Sequence, residues 1–285
     1  MDIISTKGVA EVLGVSEATV KRWADAGTLR CFKTPGGHRK FRLRDVKAFL
    51  ADHPDGVDAE GDARPKALTP AAPSGSLSAE QAEAQALALG GDVDALVSLA
   101  ASQKLRGFSL AHTFDQVIAP AMNDIGDGWA SGRLSSAQEH IASNAVKDMI
   151  ARVRPLVERT SRTERGTALC ACLGDEHHDI GVRMAALVLA SEGFRTAVVG
   201  ANVPVGDLAL MVAGNPPTIL AVSAARSAPA ERLRGDLAIL ASTAAASRTR
   251  IIVGGAGFDK LDSLPNGVVR SRDLATLVAW TQENE

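Results

Sequence analysis

Residues 174–181, Gly174-Asp175-Glu176-His177-His178-Asp179-Ile180-Gly181, gather two imidazoles and three carboxylates into five consecutive positions. Imidazole suits late first-row metals, and a neighbouring carboxylate orients it and raises its basicity. The stretch follows an apolar run, Ala168 to Leu173, that predicts a buried strand. It precedes an amphipathic run (Val182, Ala185, Ala186, Leu189) that predicts a helix. A strand-to-helix loop lies at the carboxyl edge of an α/β sheet, where such sheets open to ligands.

The spacing Glu176-x-His178-x-x-Gly181 resembles the cobalamin-binding Asp-x-His-x-x-Gly motif of methionine synthases and methylmalonyl-CoA mutases. Glu replaces Asp, which keeps the acceptor and lengthens its reach. Two further features recur in the same order: Ser223 after the apolar run Ile219 to Val222, and Gly254-Gly255 after Ile251 to Val253. The resemblance implies cobalamin as cofactor and His178 as lower ligand of its cobalt, with Glu176, Asp179, Ile180 and Gly181 beside it. It also implies Ser223 behind the His–carboxylate pair, and Gly254 and Gly255 where the nucleotide tail approaches the backbone.

The elements that must position these residues alternate. Strands are expected at 167–173, 195–200, 218–224, 250–255 and 267–270, and helices near 180–192, 204–213, 229–246 and 273–283. That pattern predicts a Rossmann-like, doubly wound parallel sheet over 166–285. Asn202-Val203-Pro204 can supply backbone contacts at its carboxyl edge. Arg226 can reach a cofactor amide or a partner subunit, or lie on the surface.

Residues 77–158 are Ala- and Leu-rich at helical period in four segments, near 79–90, 92–105, 109–128 and 135–157, which predicts a four-helix bundle. Its polar features are Trp129, Glu139 and His140.

At the other end, Ser5 or Thr6 can cap a first helix and Ser16 a second, which stops at Gly27: a helix-turn-helix. Strand patterns at 29–33 and 39–43 flank the turn Thr34-Pro35-Gly36-Gly37 and form a hairpin with a basic tip. Residues 5–50 resemble the winged-helix DNA-binding domain of MerR-family regulators. Val15-Ser16-Glu17-Ala18-Thr19-Val20-Lys21-Arg22-Trp23 matches its recognition helix and Thr34-Pro35-Gly36-Gly37-His38-Arg39 its wing. By that match Ser16, Thr19, Lys21, Arg22, Trp23, His38, Arg39 and Lys40 face double-stranded DNA. A helix fits the major groove, and a charged hairpin straddles the adjacent phosphates or enters the minor groove.

Charge distribution agrees. The chain of 285 residues carries a net charge of −2, but residues 1–50 hold ten Lys/Arg against five Asp/Glu, and residues 51–66 five acids against two bases. A basic head on an acidic tether marks one local anion-binding surface. Residues 51–76, rich in Ala, Asp, Gly and Pro, replace the long coiled coil of MerR regulators and predict a flexible linker. Three cysteines give no disulfide framework, and Cys170 and Cys172 share one strand face as small core residues. No apolar run approaches membrane-spanning length, which predicts a cytoplasmic, soluble protein.

The order Trp129-x9-Glu139-His140 ahead of a cobalamin domain resembles the light-sensing, cobalamin-dependent MerR regulators of the CarH/LitR group. The resemblance covers the chain as 1–50 winged helix, 51–76 linker, 77–158 cap bundle and 166–285 cobalamin domain. It implies a non-enzymatic repressor that binds adenosylcobalamin, with Trp129, Glu139 and His140 around the adenosyl group. It further implies a cofactor-dependent homo-oligomer, dimer or tetramer, that releases DNA when light cleaves the Co–C bond. One departure stands out: where these photoreceptors carry an upper-ligand His, this chain has Ala130, which cannot ligate. His140, His112 or water can take that place, or cobalamin (methyl- or hydroxocobalamin) is sensed without light. The more distant alternatives are a corrinoid methyl carrier and a sheet that binds a nucleotide or nothing.

Overall fold

The computed structural model describes residues 3–13, 16–34, 37–52, 78–158, 164–173, 177–224 and 228–283. The chain divides into two compact units, one ending at Met149 and the other beginning at Ile150.

The first unit opens with β1 (Ile3–Ser5), α1 (Thr6–Leu13) and α2 (Glu17–Asp25). Ser5 Oγ accepts from Gly8 N at 3.1 Å and Ser16 Oγ from Thr19 N at 3.1 Å, so each helix starts on a side-chain cap, as expected. Strands β2 (Phe32–Lys33) and β3 (Arg39–Arg42) form the hairpin, and β1 adds to β3 in the order β1-β3-β2, antiparallel throughout. Three details differ from the sequence-based expectation. Strand β2 is shorter than expected: Leu29 lies outside it, fully buried in the core with Val9, Val20, Phe41 and Val46. Leu43 begins a helix, α3 (Leu43–Asp52), instead of ending a strand. That helix also carries Ala51 and Asp52, at the head of the expected linker; residues 53–76 lie outside the described residues.

The helical part comprises α4 (Ala79–Leu89), α5 (Val93–Leu105), a long segment of α6 (Leu110–Thr113), a π-helical turn (Phe114–Ile118) and α7 (Ala119–Ala130), and then α8 (Ser136–Glu158). A reciprocal Ser78–Gln81 capping box starts α4. The π turn precedes Pro120, whose missing N–H cannot reach the Gln116 carbonyl four residues back. Gln81 Nε2 donates to that carbonyl at 2.7 Å instead. A proline that would break an isolated helix is thus accommodated by a neighbour.

The second unit holds β4 (Thr167–Leu173), α9 (Ile180–Ser191), β5 (Arg195–Val203), α10 (Val205–Gly214), β6 (Ile219–Ser223), α11 (Ala230–Ser247), β7 (Arg250–Gly254), a 3-10 turn (Ala256–Lys260), β8 (Val268–Arg270) and α12 (Leu274–Glu283). The strands form one parallel sheet in the order β5-β4-β6-β7-β8. Leu169, Ala171 and Leu173 face one way, into a core with Leu208, Val212, Leu233, Leu237 and Leu240 of α10 and α11. Cys170 and Cys172 alternate to the other face, fully buried. The expected doubly wound fold is borne out, with strand and helix ends displaced by a few residues.

Two outcomes test this packing. Gly166 sits at φ +119°, and a Cβ there would lie 2.2 Å from Thr218 Oγ1, whose position Thr167 N holds at 3.2 Å. Gly166→Ala should therefore destabilise the sheet unit by about 2 kcal/mol or more in urea unfolding; an unmoved midpoint would refute the account. Burial pushes the Cys170 thiol up to about 12, and Cys172 is as deeply buried. At pH 8 the folded chain should react with Ellman's reagent through Cys31 alone, which is only partly buried, and through all three thiols once denatured.

Candidate functional sites at the sheet edge, the α7–α8 hairpin and the winged helix

In the strand order β5-β4-β6, successive connections leave β4 on opposite sides, so the loops after β4 and β6 part and open a crevice at their carboxyl ends. The ends of three strands are level there: Cys172 pairs with Ser223, and Ser223 with Gly254. His178 follows β4 and is exposed, as is His177. Cys172 Sγ lies 3.7 Å from the His178 carbonyl and ties the returning loop to the strand. Asp179 is the N-cap residue of α9 and buried, and its Oδ2 accepts from Arg183 Nε at 2.6 Å, one turn along. Its carboxylate therefore braces the helix start on which Ile180 and Gly181 stand.

The Ser223 hydroxyl occupies a space held open by missing side chains. A Cβ at Gly181 would stand 3.9 Å from Ser223 Oγ, and one at Gly255 3.3 Å from it. Gly255 also sits at φ +93°, with the Ala224 carbonyl 2.5 Å from where its Cβ would be. Only glycine fits there. Of the expected residues, the structure brings His178, Asp179, Gly181, Ser223, Gly254 and Gly255 to one edge. Glu176 and Arg226 lie outside the described residues. Asn202 takes the left-handed φ of 53° at the end of β5, a backbone irregularity no residue pattern announced.

At the end of α7, Trp129 is 49 % exposed and its indole Nε1 donates to Ser136 Oγ at 3.1 Å. The turn between α7 and α8 is closed by Gly132 N to Trp129 O (3.0 Å) and Leu134 N to Gly128 O (3.0 Å), with Leu134 buried against Gly128. Glu139, in the first turn of α8, accepts from Ser143 Oγ through Oε1, and its Oε2 lies 3.5 Å from His140 Nε2. Its carboxylate is mostly covered while the His140 ring stands in solvent. Trp129, Ala130, Glu139 and His140 thus share one end of the α7–α8 hairpin. His112 does not: it stacks on Phe108 (centroids 4.5 Å apart) at the start of α6. At 1.5 Å rise per residue that is about 25 Å of helix from Trp129.

On the winged helix, Ser5, Lys7, Lys21, Thr34, His38 and Lys40 line an open cleft of about 420 Å³. Lys21, Arg22 and His38 are exposed. Arg39 Nη2 reaches Asp25 Oδ1 at 2.6 Å, pinning the wing to the end of α2. The Ser16 and Thr19 hydroxyls lie 2.9 Å apart and serve the helix cap. Trp23 departs from the expected DNA face: it is 8 % exposed, its ring 5.1 Å from that of Phe49. An indole at this position supplies core, because the face of α2 that carries Val20 also carries residue 23.

The fold and these sites define a cobalamin-binding transcriptional regulator. Residues 3–54 match the family model "Helix-turn-helix domain", and residues 81–154 and 166–273 match two "B12 binding domain" models. The chain is 30% identical over 255 residues to the HTH-type transcriptional repressor CarH of Myxococcus xanthus, covering 80% of this chain and 81% of that protein. The chain belongs to the CarH family of cobalamin-dependent transcriptional regulators. It is also 34% identical over 73 residues, 25% of its length and 28% of the relative's, to the transcriptional repressor DcmR of Methylorubrum extorquens. The monomethylamine corrinoid protein of Methanosarcina barkeri shares the fold at a TM-score of 0.58 and 16% identity, over 71% of this chain and 97% of that one. Among the described residues no helix is long and apolar enough to cross a membrane.

If Lys21 neutralises a phosphate, Lys21→Ala should weaken binding to every duplex alike and flatten the log K against log salt slope by about 1. An unchanged slope in a fluorescence-anisotropy titration would remove Lys21 from the interface.

Proposed function

We propose that the chain is a cytoplasmic transcriptional repressor that holds its DNA operator as a cobalamin-loaded homo-oligomer, with adenosylcobalamin as the loaded form and light as the releasing signal. The observation that carries the reading is the sheet edge, where an exposed imidazole follows β4 and the Ser223 hydroxyl is flanked by Gly181 and Gly255, with no Cβ between them. Those residues fit a corrinoid: His178 offers a ring nitrogen to cobalt, Asp179 steadies the helix start beside it, and Ser223 with the glycines leaves room for a narrow polar tail. Trp129, Glu139 and His140 take the adenosyl group, with Ser136 and Ser143 fixing the indole and the carboxylate. When bound, adenosylcobalamin supplies a Co–C bond that visible light cleaves. A helix-turn-helix at the amino terminus argues against a methyl carrier.

Ala130 favours a second reading in which cobalamin is sensed without light. It offers no ligand, and His112 is too far along the helix to replace one, which leaves His140 or water on the side of Trp129.

One experiment separates the readings. The chain is loaded with adenosylcobalamin in the dark, and absorbance, oligomer size and DNA retention are followed before and after green illumination. Assembly in the dark with dissociation in the light supports the photoreceptor. Cofactor-dependent DNA binding at a constant size through photolysis supports light-independent sensing, and DNA binding indifferent to cobalamin overturns both. His178→Ala should lose the base-off, His-on absorbance and retain cobalamin at least tenfold less tightly, a loss of about 1.4 kcal/mol or more, with the melting temperature of the empty protein unchanged. An unaltered spectrum would place the cobalt elsewhere.

A further inference from the structure

The last turn of α5 is divided between two neighbours. Arg106, which follows it, forms an ion pair with Glu80 of α4 and lies 5.1 Å over the Phe108 ring, so it stays with the helical bundle. That guanidinium holds the Glu80 carboxyl below its ordinary range. Leu105, one residue earlier, packs instead against the winged-helix core of Val9, Ala10 and Val20, and α1 lies against α5. Residues 53–77 separate the two partners in sequence, so chain connectivity alone does not bring them together. Lys104 and Arg106 on either side are exposed, which leaves Leu105 as the apolar knob of this turn.

We propose that the carboxyl end of α5 is a docking surface for the chain's own winged helix, and that it holds the head with its DNA face outward. With Leu105 seated, Lys21, Arg22 and His38 remain exposed and the basic cleft remains open. The contact runs along α1 and α5 and seats Leu105 against the core of the head. Because α1 lies along α5, a displacement of α5 transmits directly to the head.

The test uses the full chain with donor and acceptor dyes at Lys33→Cys and Glu83→Cys, in a Cys31→Ser background, diluted into excess unlabelled chain. Cys170 and Cys172 are fully buried and take no dye. A high-transfer population is expected, kept by Leu105→Met and lowered about tenfold or more by Leu105→Lys, the cost of withdrawing one leucine from apolar contact. Helical content and melting of the bundle should be the same in all three. Transfer should also persist when a duplex of random sequence saturates the head at low salt. Equal transfer in Leu105→Lys and the parent overturns the proposal, as does transfer that vanishes on dilution with unlabelled chain, which would place the dock between copies. Transfer abolished by the duplex overturns the outward orientation.

Discussion

A parallel sheet cannot close its carboxyl edge where the strand order reverses, and the cofactor site depends on that opening. Strand β4 lies between β5 and β6, and the loops that leave the strands on its two sides cannot share one path. Strands β4 and β6 beneath the opening are apolar and buried. Pairing of Cys172, Ser223 and Gly254 in one row sets how deep the crevice begins. Glycine at 255, where a Cβ would meet the Ala224 carbonyl and crowd the Ser223 hydroxyl, keeps the backbone there bare.

The hairpin that carries Trp129 and Glu139 obeys a different constraint. Two helices must reverse direction within five residues, and the turn does so by burying Leu134 against Gly128 and closing two backbone bonds across Gly132 and Leu134. Trp129 is then fixed by Ser136 across the hairpin and Glu139 by Ser143 one turn along α8. The geometry also explains why Ala130 has no remote understudy: a histidine on the far end of the same helix is too distant, however suitable its chemistry. Upstream, Gln81 takes the carbonyl that Pro120 cannot, so the helix that presents Trp129 survives its own proline.

The DNA-binding head is held by a small core and by contacts between its elements. Its core is a few large side chains, Trp23 and Phe49 against Leu29 and Phe41, and Arg39 ties the wing to α2 through Asp25. Arg39, expected on the DNA face, thus also has a structural partner within the head. The same economy leaves Leu105 of the bundle within reach of the head.

Period and punctuation carried much of this in the bare chain. The apolar runs ending at Leu173, Ser223 and Gly254 announced parallel strands because both faces of such a sheet are covered, and Ser16 and Gly27 announced a helix by its cap and its stop. His178, Gly181 and Ser223 were legible as a set by type and spacing, since a metal-seeking imidazole and unencumbered backbone leave local marks. What the chain could not announce are relations between distant segments. Trp23 reads as an amphipathic residue on a basic helix until Phe49, twenty-six positions on, is seen against it. Helix α3 went unread because a strand pattern runs into it, and β1 because three residues show no period. The separation of His112 from Trp129, the lining of Ser223 by two glycines and the seat of Leu105 were decided by tertiary structure alone, because each depends on which surfaces close packing brings together and none on local order along the chain.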